Sequence, residues 1–218
     1  MGLHHSPRIV TDGLVLCLDA ADKNSYPGSG TTWYDLSGQG NNGTLTNGPT
    51  FDSGNGGSLV FDGVNDYVIF SEIELTNWTI SYWFYHTGTS NEMTVGKFNT
   101  TNNRFYHRDT GVSYKLRVHN NDNVSVGDMI IGDKREQWTH LAYSMKTGQI
   151  KGWVNGNLEL DTTTTNTPNF LFNTVGLPYT STYYWKGRIG PLTIHTRQLT
   201  TQEVQQNYNA TKSRFGLT

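Results

Sequence analysis

Residues 79–85 carry bulky side chains at both sets of alternate positions. Ile80, Tyr82 and Phe84 fall on one side, and Ser81, Trp83 and Tyr85 on the other. Side chains alternate across a strand, so this pattern describes a strand packed against other structure on each face. The rest of the chain supplies matching material. Strand patterns fit 9–19, two short runs within 59–70, and 93–98, 104–108, 114–119 and 124–131. Others fit 138–145, 149–154, 158–160, 170–175 and 183–195, most of them bounded by turn residues.

Asn155-Gly156 lies between Gly152-Trp153-Val154 and Asn157-Leu158-Glu159-Leu160. Both central residues of a type I′ turn need positive φ, so this pair predicts a two-residue hairpin. Residues 20–58 are dense in turn residues without helix periodicity, and read as a winding loop with short strands. Gly, Thr, Asn and Ser make up 89 of the 218 residues, a composition poor in helix formers. Six Trp, 12 Tyr and 9 Phe supply the apolar area that a disordered chain lacks. The expectation from these patterns is one turn-rich, all-β domain over 9–218, preceded by an arm at 1–8.

One helix is expected, over about 200–212. Thr200-Thr201-Gln202-Glu203 reads as a capping box, and Leu199 and Val204 as the flanking hydrophobic staple. Val204 and Tyr208, four residues apart, would face the body of the domain.

Charge and cysteine narrow the function classes. The formal net charge is −2, and Lys and Arg are scattered along the chain without a basic run. Nucleic acid is therefore not an expected partner. The lone Cys17, in an apolar run, excludes an intrachain disulfide and reads as a buried structural thiol. No apolar stretch approaches the roughly 20 residues of a membrane span, so no membrane partner is expected. Residues 1–8 lack the organisation of a secretion signal, which predicts synthesis in a cytoplasm without N-terminal export.

Six segments in register resemble laminin G-like, concanavalin A-like jelly-roll domains. They are 58–68, 78–83, 138–142, the Lys151-Gly152-Trp153-Val154-Asn155-Gly156 hairpin, Trp185-Lys186-Gly187-Arg188-Ile189-Gly190, and 196–204. The resemblance spans residues 9 to about 214 and implies an all-β, two-sheet antiparallel jelly-roll sandwich with one short C-terminal helix. Segments 13–22 and 206–217 are similar to the versions of this domain in tailed bacteriophage structural proteins. That similarity implies a virion component, a capsid decoration or tail or fibre protein, assembled in the host cytoplasm and exposed on released particles. Its partners would be other virion proteins and cell-surface or free glycans, and a homo-oligomer stays open.

A catalytic reading finds little to stand on. Glycoside hydrolysis with retention needs two carboxyls about 5–5.5 Å apart. The local candidates are Glu72 and Glu74, on one strand face, in a segment that the family pattern places in a connection between strands. No Gly-x-Ser-x-Gly elbow and no zinc-spaced histidine pair occurs. His140 reads as a strand-face residue, and His86, His107, His119 and His195 as strand ends; Trp83, Trp138 and Trp153 are expected in the core. The expectation is no enzyme, with a polysaccharide-degrading enzyme or a bacterial glycan-binding module as alternatives. Binding is assigned to polar and aromatic loops, with Asn102, Asn103, Arg104, Asn121, Asp122, Tyr179, Tyr183 and Tyr184 as candidate ligand contacts. Calcium is a further option, through oxygens of 35–41 and 62–66, because it takes six to eight oxygen ligands.

Overall fold

The computed structural model describes residues 8–89, 91–97, 102–109, 114–120, 125–166, 169–177 and 182–218. In chain order its strands begin with β1 (Leu14–Leu18), β2 (Thr32–Trp33), β3 (Gly43–Thr46), β4 (Thr50–Asp52) and β5 (Ser58–Asp62). Next come β6 (Tyr67–Leu75), β7 (Trp78–His86), β8 (Glu92–Gly96), β9 (Arg104–Asp109), β10 (Tyr114–His119) and β11 (Ser125–Ile130). The last are β12 (Thr139–Lys146), β13 (Gln149–Val154), β14 (Asn157–Thr163), β15 (Phe170–Val175) and β16 (Lys186–His195), followed by α1 (Thr201–Thr211).

The described strands form two antiparallel sheets. One has the order β14-β13-β12-β7-β16-β5-β4, with β1 also pairing β16; the other runs β11-β10-β9-β8-β15-β6-β3-β2. This is the two-sheet sandwich with one short C-terminal helix that the sequence predicts. The register of β16 against β7 shifts between Ile189 and Leu192, around Pro191. Proline cannot donate to a ladder and is tolerated at such an irregularity.

Between the sheets lies an aromatic core. Trp78 is fully buried and meets Phe105, Phe170, Phe172 and Tyr143 with centroids 5.1–6.0 Å away. Such tilted, edge-on and stacked pairs add about 0.5–1.5 kcal/mol each beyond simple burial. Strand β7 is buried on both faces, as its alternation requires. Its second face is covered by the C-terminal segment. Trp83 stacks on Tyr208 and Phe215, and its Nε1 donates to Thr211 Oγ1 at 2.9 Å. Val10, Ala142, Trp153, Leu199 and Val204 form a separate small cluster in this outer layer.

The helix is capped as its sequence specifies. Glu203 N donates to Thr200 Oγ1 at 3.2 Å, and Thr200 N to Glu203 Oε2 at 2.8 Å. The hairpin between β13 and β14 also forms, with φ of 50° at Asn155 and 77° at Gly156.

Several local expectations need correction. The first strand contracts from 9–19 to β1, because Val10 docks into the outer layer and its N–H bonds Asn207 Oδ1 at 2.7 Å. Trp83 and Trp153 are buried core residues as expected, on the side of the sheet that the helical layer covers, but Trp138 is only half-buried, packing on Phe215 and Tyr85. His107 sits inside β9, not at its end. Glu72 and Glu74 lie within β6, which continues to Leu75, and not in a connection.

Candidate functional site

Alternation along β9 and β10 sorts their side chains onto two faces. Phe105, His107, Leu116 and Val118 are fully buried toward the other sheet. That leaves Arg104, Tyr106 and Arg108 of β9, and Lys115, Arg117 and His119 of β10, on the opposite face. Antiparallel register sets Arg104 opposite His119, Tyr106 opposite Arg117, and Arg108 opposite Lys115. From β11, Asp128 faces Arg117 and exposed Ile130 faces Lys115.

Arg117 and Asp128 form a bidentate pair, Nε to Oδ1 at 2.7 Å and Nη2 to Oδ2 at 2.6 Å. These bonds raise the pKa of Arg117 and hold the Asp128 carboxyl below the ordinary carboxylate range. Asp128 is thereby held by Arg117, with Lys115 adding a weaker attraction from the same face.

Where β8 and β9 meet the segment before β16, a cavity of about 70 Å³ opens between Asn91, Met93, Arg104, Tyr106 and Tyr183. Arg104 is buried at 7% exposure. Its Nη2 donates to His119 Nδ1 at 3.2 Å, and its guanidinium lies 5.7 Å from the Tyr106 ring centroid. Met93 N donates to Tyr183 O at 2.9 Å, fixing the tyrosine segment to β8. Trp185 anchors the same segment from below, buried against His86, His107 and Phe84. Beside the start of β9, Lys97 N donates to Asn103 O at 2.8 Å. A Cβ on Gly96 would stand 2.3 Å from that Asn103 oxygen, so only glycine permits the approach.

The cavity thus unites two residues singled out from separate loops, Arg104 and Tyr183. Tyr184 is half-buried nearby in sequence, Asn102 is half-buried, and Asn103 is buried with φ of 52°, so its backbone shapes the turn. Asn121, Asp122 and Tyr179 lie outside the described residues. Sequence reasoning missed Met93, Tyr106, Arg108, Lys115 and Arg117. The available signal was the polar half of the alternation in 104–108 and 115–119.

The other candidates have structural employment. Glu72 pairs with Lys97 at 2.8 Å, and Glu74 accepts from Asn169 Nδ2 at 3.3 Å. Asp35 accepts from the backbone N–H groups of Cys17, Ser37 and Asn41 at 2.9–3.0 Å and from the Ser37 hydroxyl at 2.6 Å. Asp62 accepts from Val64 N at 2.7 Å, and Asp66 from Asp62 N at 3.0 Å. These bonds hold turns, and among the described residues no group of three His, Cys, Asp or Glu side chains assembles as a metal site.

A Ser–His contact that the sequence did not reveal joins Ser81 Oγ and His140 Nε2 at 2.7 Å. Both are buried in the outer layer, and burial pushes the His140 pKa down to about 3. The adjoining cavity is only about 20 Å³, which leaves no room for a substrate.

Comparison with known proteins supplies the family context. The model of the Concanavalin A-like lectin/glucanases superfamily matches residues 62–205. No curated protein matches the chain. Among solved structures, domain 4 of AbnA, an extracellular GH43 arabinanase from Geobacillus stearothermophilus in complex with arabinotriose, aligns with TM-score 0.65 and 18% identity. The alignment covers 88% of this chain and 96% of that one. The ligand-binding domain of botulinum neurotoxin serotype D, in complex with N-acetylneuraminic acid, aligns with TM-score 0.65 and 12% identity over 91% of this chain. This chain spans about half of that toxin fragment, 51%. A heptameric SAP-like pentraxin from Limulus polyphemus aligns with TM-score 0.56 and 14% identity, covering 68% of this chain and 79% of that one. At such identities the likeness establishes the fold.

Proposed function

Because the chain belongs to the concanavalin A-like lectin/glucanases superfamily, we propose that it is a noncatalytic glycan-binding protein carried on the surface of a phage virion. The observation that carries the binding reading is the cavity joining Arg104, Tyr106 and Tyr183 at the edge of an outward sheet face. Aromatic rings offer flat apolar surface to the C–H faces of a sugar, while a guanidinium and an amide offer fixed donors, the usual mixture in a small-ligand site.

The noncatalytic reading is supported by the carboxylates. Glu72 is engaged by Lys97 and Glu74 by Asn169, and no further acid follows them at alternate positions in β6, which ends at Leu75. The virion reading rests on the similarity of 13–22 and 206–217 to phage structural proteins. In that setting the fold would serve adhesion to host or surface glycans, shell stabilisation, or both.

Two measurements test this. On a glycan array the wild-type protein should bind, and Tyr106→Ala with Tyr183→Ala should weaken binding at least about tenfold, roughly 1.4 kcal/mol. Absence of binding to every glycan would overturn the adhesive role. Mass spectrometry of purified virions of the encoding phage should recover peptides of this chain, and their absence would overturn the location.

A further inference from the structure

We infer that the saccharide taken by this face is anionic, bearing carboxylate or sulfate groups that lie across β9 and β10 with one substituent inserted in the Arg104–Tyr106–Tyr183 cavity. The inference rests on the glycan-binding reading above and adds the chemical class of the ligand.

Register supplies the first argument. Arg108 and Lys115 stand directly opposite each other, and like charges so placed destabilise an antiparallel pair. Among the described residues no carboxylate forms an ion pair with either one: Asp128 feels the charge of Lys115 but is held in both oxygens by Arg117. Arg104 adds a guanidinium at the cavity. Among the described side chains, four cations therefore share this face with one acid, in a chain that holds 18 acidic and 16 basic residues overall. That segregation runs against the net charge, and an anion lying across the face would relieve it.

Cavity size supplies the second. A site that engulfs a whole small ligand occupies roughly 300–1,000 Å³. The volume here, about 70 Å³, suits a single carboxylate, sulfate or acetamido substituent, with the ring left outside against Tyr106 and Tyr183. A planar guanidinium matches the oxygens of a carboxylate or sulfate better than it matches neutral hydroxyls.

Contrast with the other cationic groove supplies the third. Lys146, Lys151 and Arg197 line an open depression at the end of β12 and β13 where Lys146 pairs with Gln149. There Lys151 pairs with Asp161, and Arg197 with both Asp12 and Glu203. Lys151 and Arg197 are thus matched by carboxylates, whereas among the described residues Arg108 and Lys115 form no ion pair.

The test uses the whole chain against immobilised polysaccharides: alginate for carboxylate, chondroitin sulfate for sulfate, dextran and arabinan as neutral controls, and single-stranded DNA. Binding should favour an acidic polysaccharide and weaken by tenfold or more between 0.05 and 0.5 M salt, as screening requires (about these concentrations). Preference for alginate assigns a carboxylate, and preference for chondroitin sulfate assigns a sulfate. The double variant Arg108→Gln/Lys115→Gln should lose at least about tenfold in affinity while keeping or raising the Tm, because it removes an opposed pair of cations. Equal affinity of the double variant, or salt-independent binding to neutral polysaccharides alone, overturns the anionic assignment and leaves the glycan-binding reading standing. Binding to no polysaccharide overturns both, and tighter binding to DNA than to any polysaccharide replaces them with a nucleic-acid face.

Discussion

Phe215 lies flat against Trp83, with ring centroids 4.1 Å apart and planes 22° from parallel. The contact closes the outer layer over the middle strand of a sheet whose other face is already covered by the aromatic core. It also explains how a helix of 11 residues persists, since one this short is marginal in isolation and depends on its packed face.

Truncation of that ring should therefore unfold more than its own contact. Phe215→Ala is expected to cost about 3 kcal/mol, the low end for a buried phenylalanine. For a chain of this length the Tm should fall by roughly 6–12 °C. Calorimetry showing a change below about 1 kcal/mol would mean that the outer layer is held by other contacts.

Acid should destabilise the fold well before ordinary carboxylates titrate. Burial holds His140 neutral with a pKa of about 3, against an ordinary value of 6.5, and it also lowers those of His107 and His195. As pH falls below 6.5 the unfolded chain takes up these protons first, so stability present above that point is lost progressively toward pH 3. Glu203, lowered to about 2 chiefly by its hydrogen bonds from Arg197, adds a loss between pH 4.5 and 2. Thermal melts from pH 7 to 4 should show a steadily falling Tm, with a shallower slope in His140→Gln. A flat profile would contradict the burial of these imidazoles.

The thiol of Cys17 should be inert in the native protein. Burial, reinforced by Asp19, Asp35 and Asp22, raises its pKa to about 12. At pH 8 almost none is thiolate, and the side chain is 6% exposed. A thiol reagent should label it only as the chain unfolds, with one equivalent released in denaturant; rapid native labelling would show that β1 opens readily.

Substitution at Glu72 should affect neither catalysis nor folding appreciably. Its bridge to Lys97 is partly exposed and is expected to contribute less than about 1 kcal/mol. Reducing-sugar assays on a polysaccharide panel should give background rates for wild type and Glu72→Gln alike. Turnover in the wild type that disappears in the variant would make this face hydrolytic.

Local signals were read well where the information is local. The capping box at Thr200 and Glu203, the positive φ values at Asn155 and Gly156, and the burial of Cys17 each follow from residues within a few positions of one another. Strand ends were less legible. Val10 left the first strand pattern because Asn207, near the other end of the chain, takes its N–H. The tryptophans were recognised as packing residues, yet which side of a sheet each one packs depends on what arrives there, and for Trp83 and Trp153 it is the C-terminal layer.

The sequence by itself determined that this chain is a β sandwich, because alternation, turn residues and caps act over a few residues and bias the backbone wherever they occur. Tertiary structure decided the site. Arg104 and Tyr183 come from distant segments, and the cations of β9 and β10 are scattered in the sequence until antiparallel register sets Arg108 against Lys115. Register and strand order follow from how whole faces bury against each other, so a cluster made across strands is settled only once the sheets have packed.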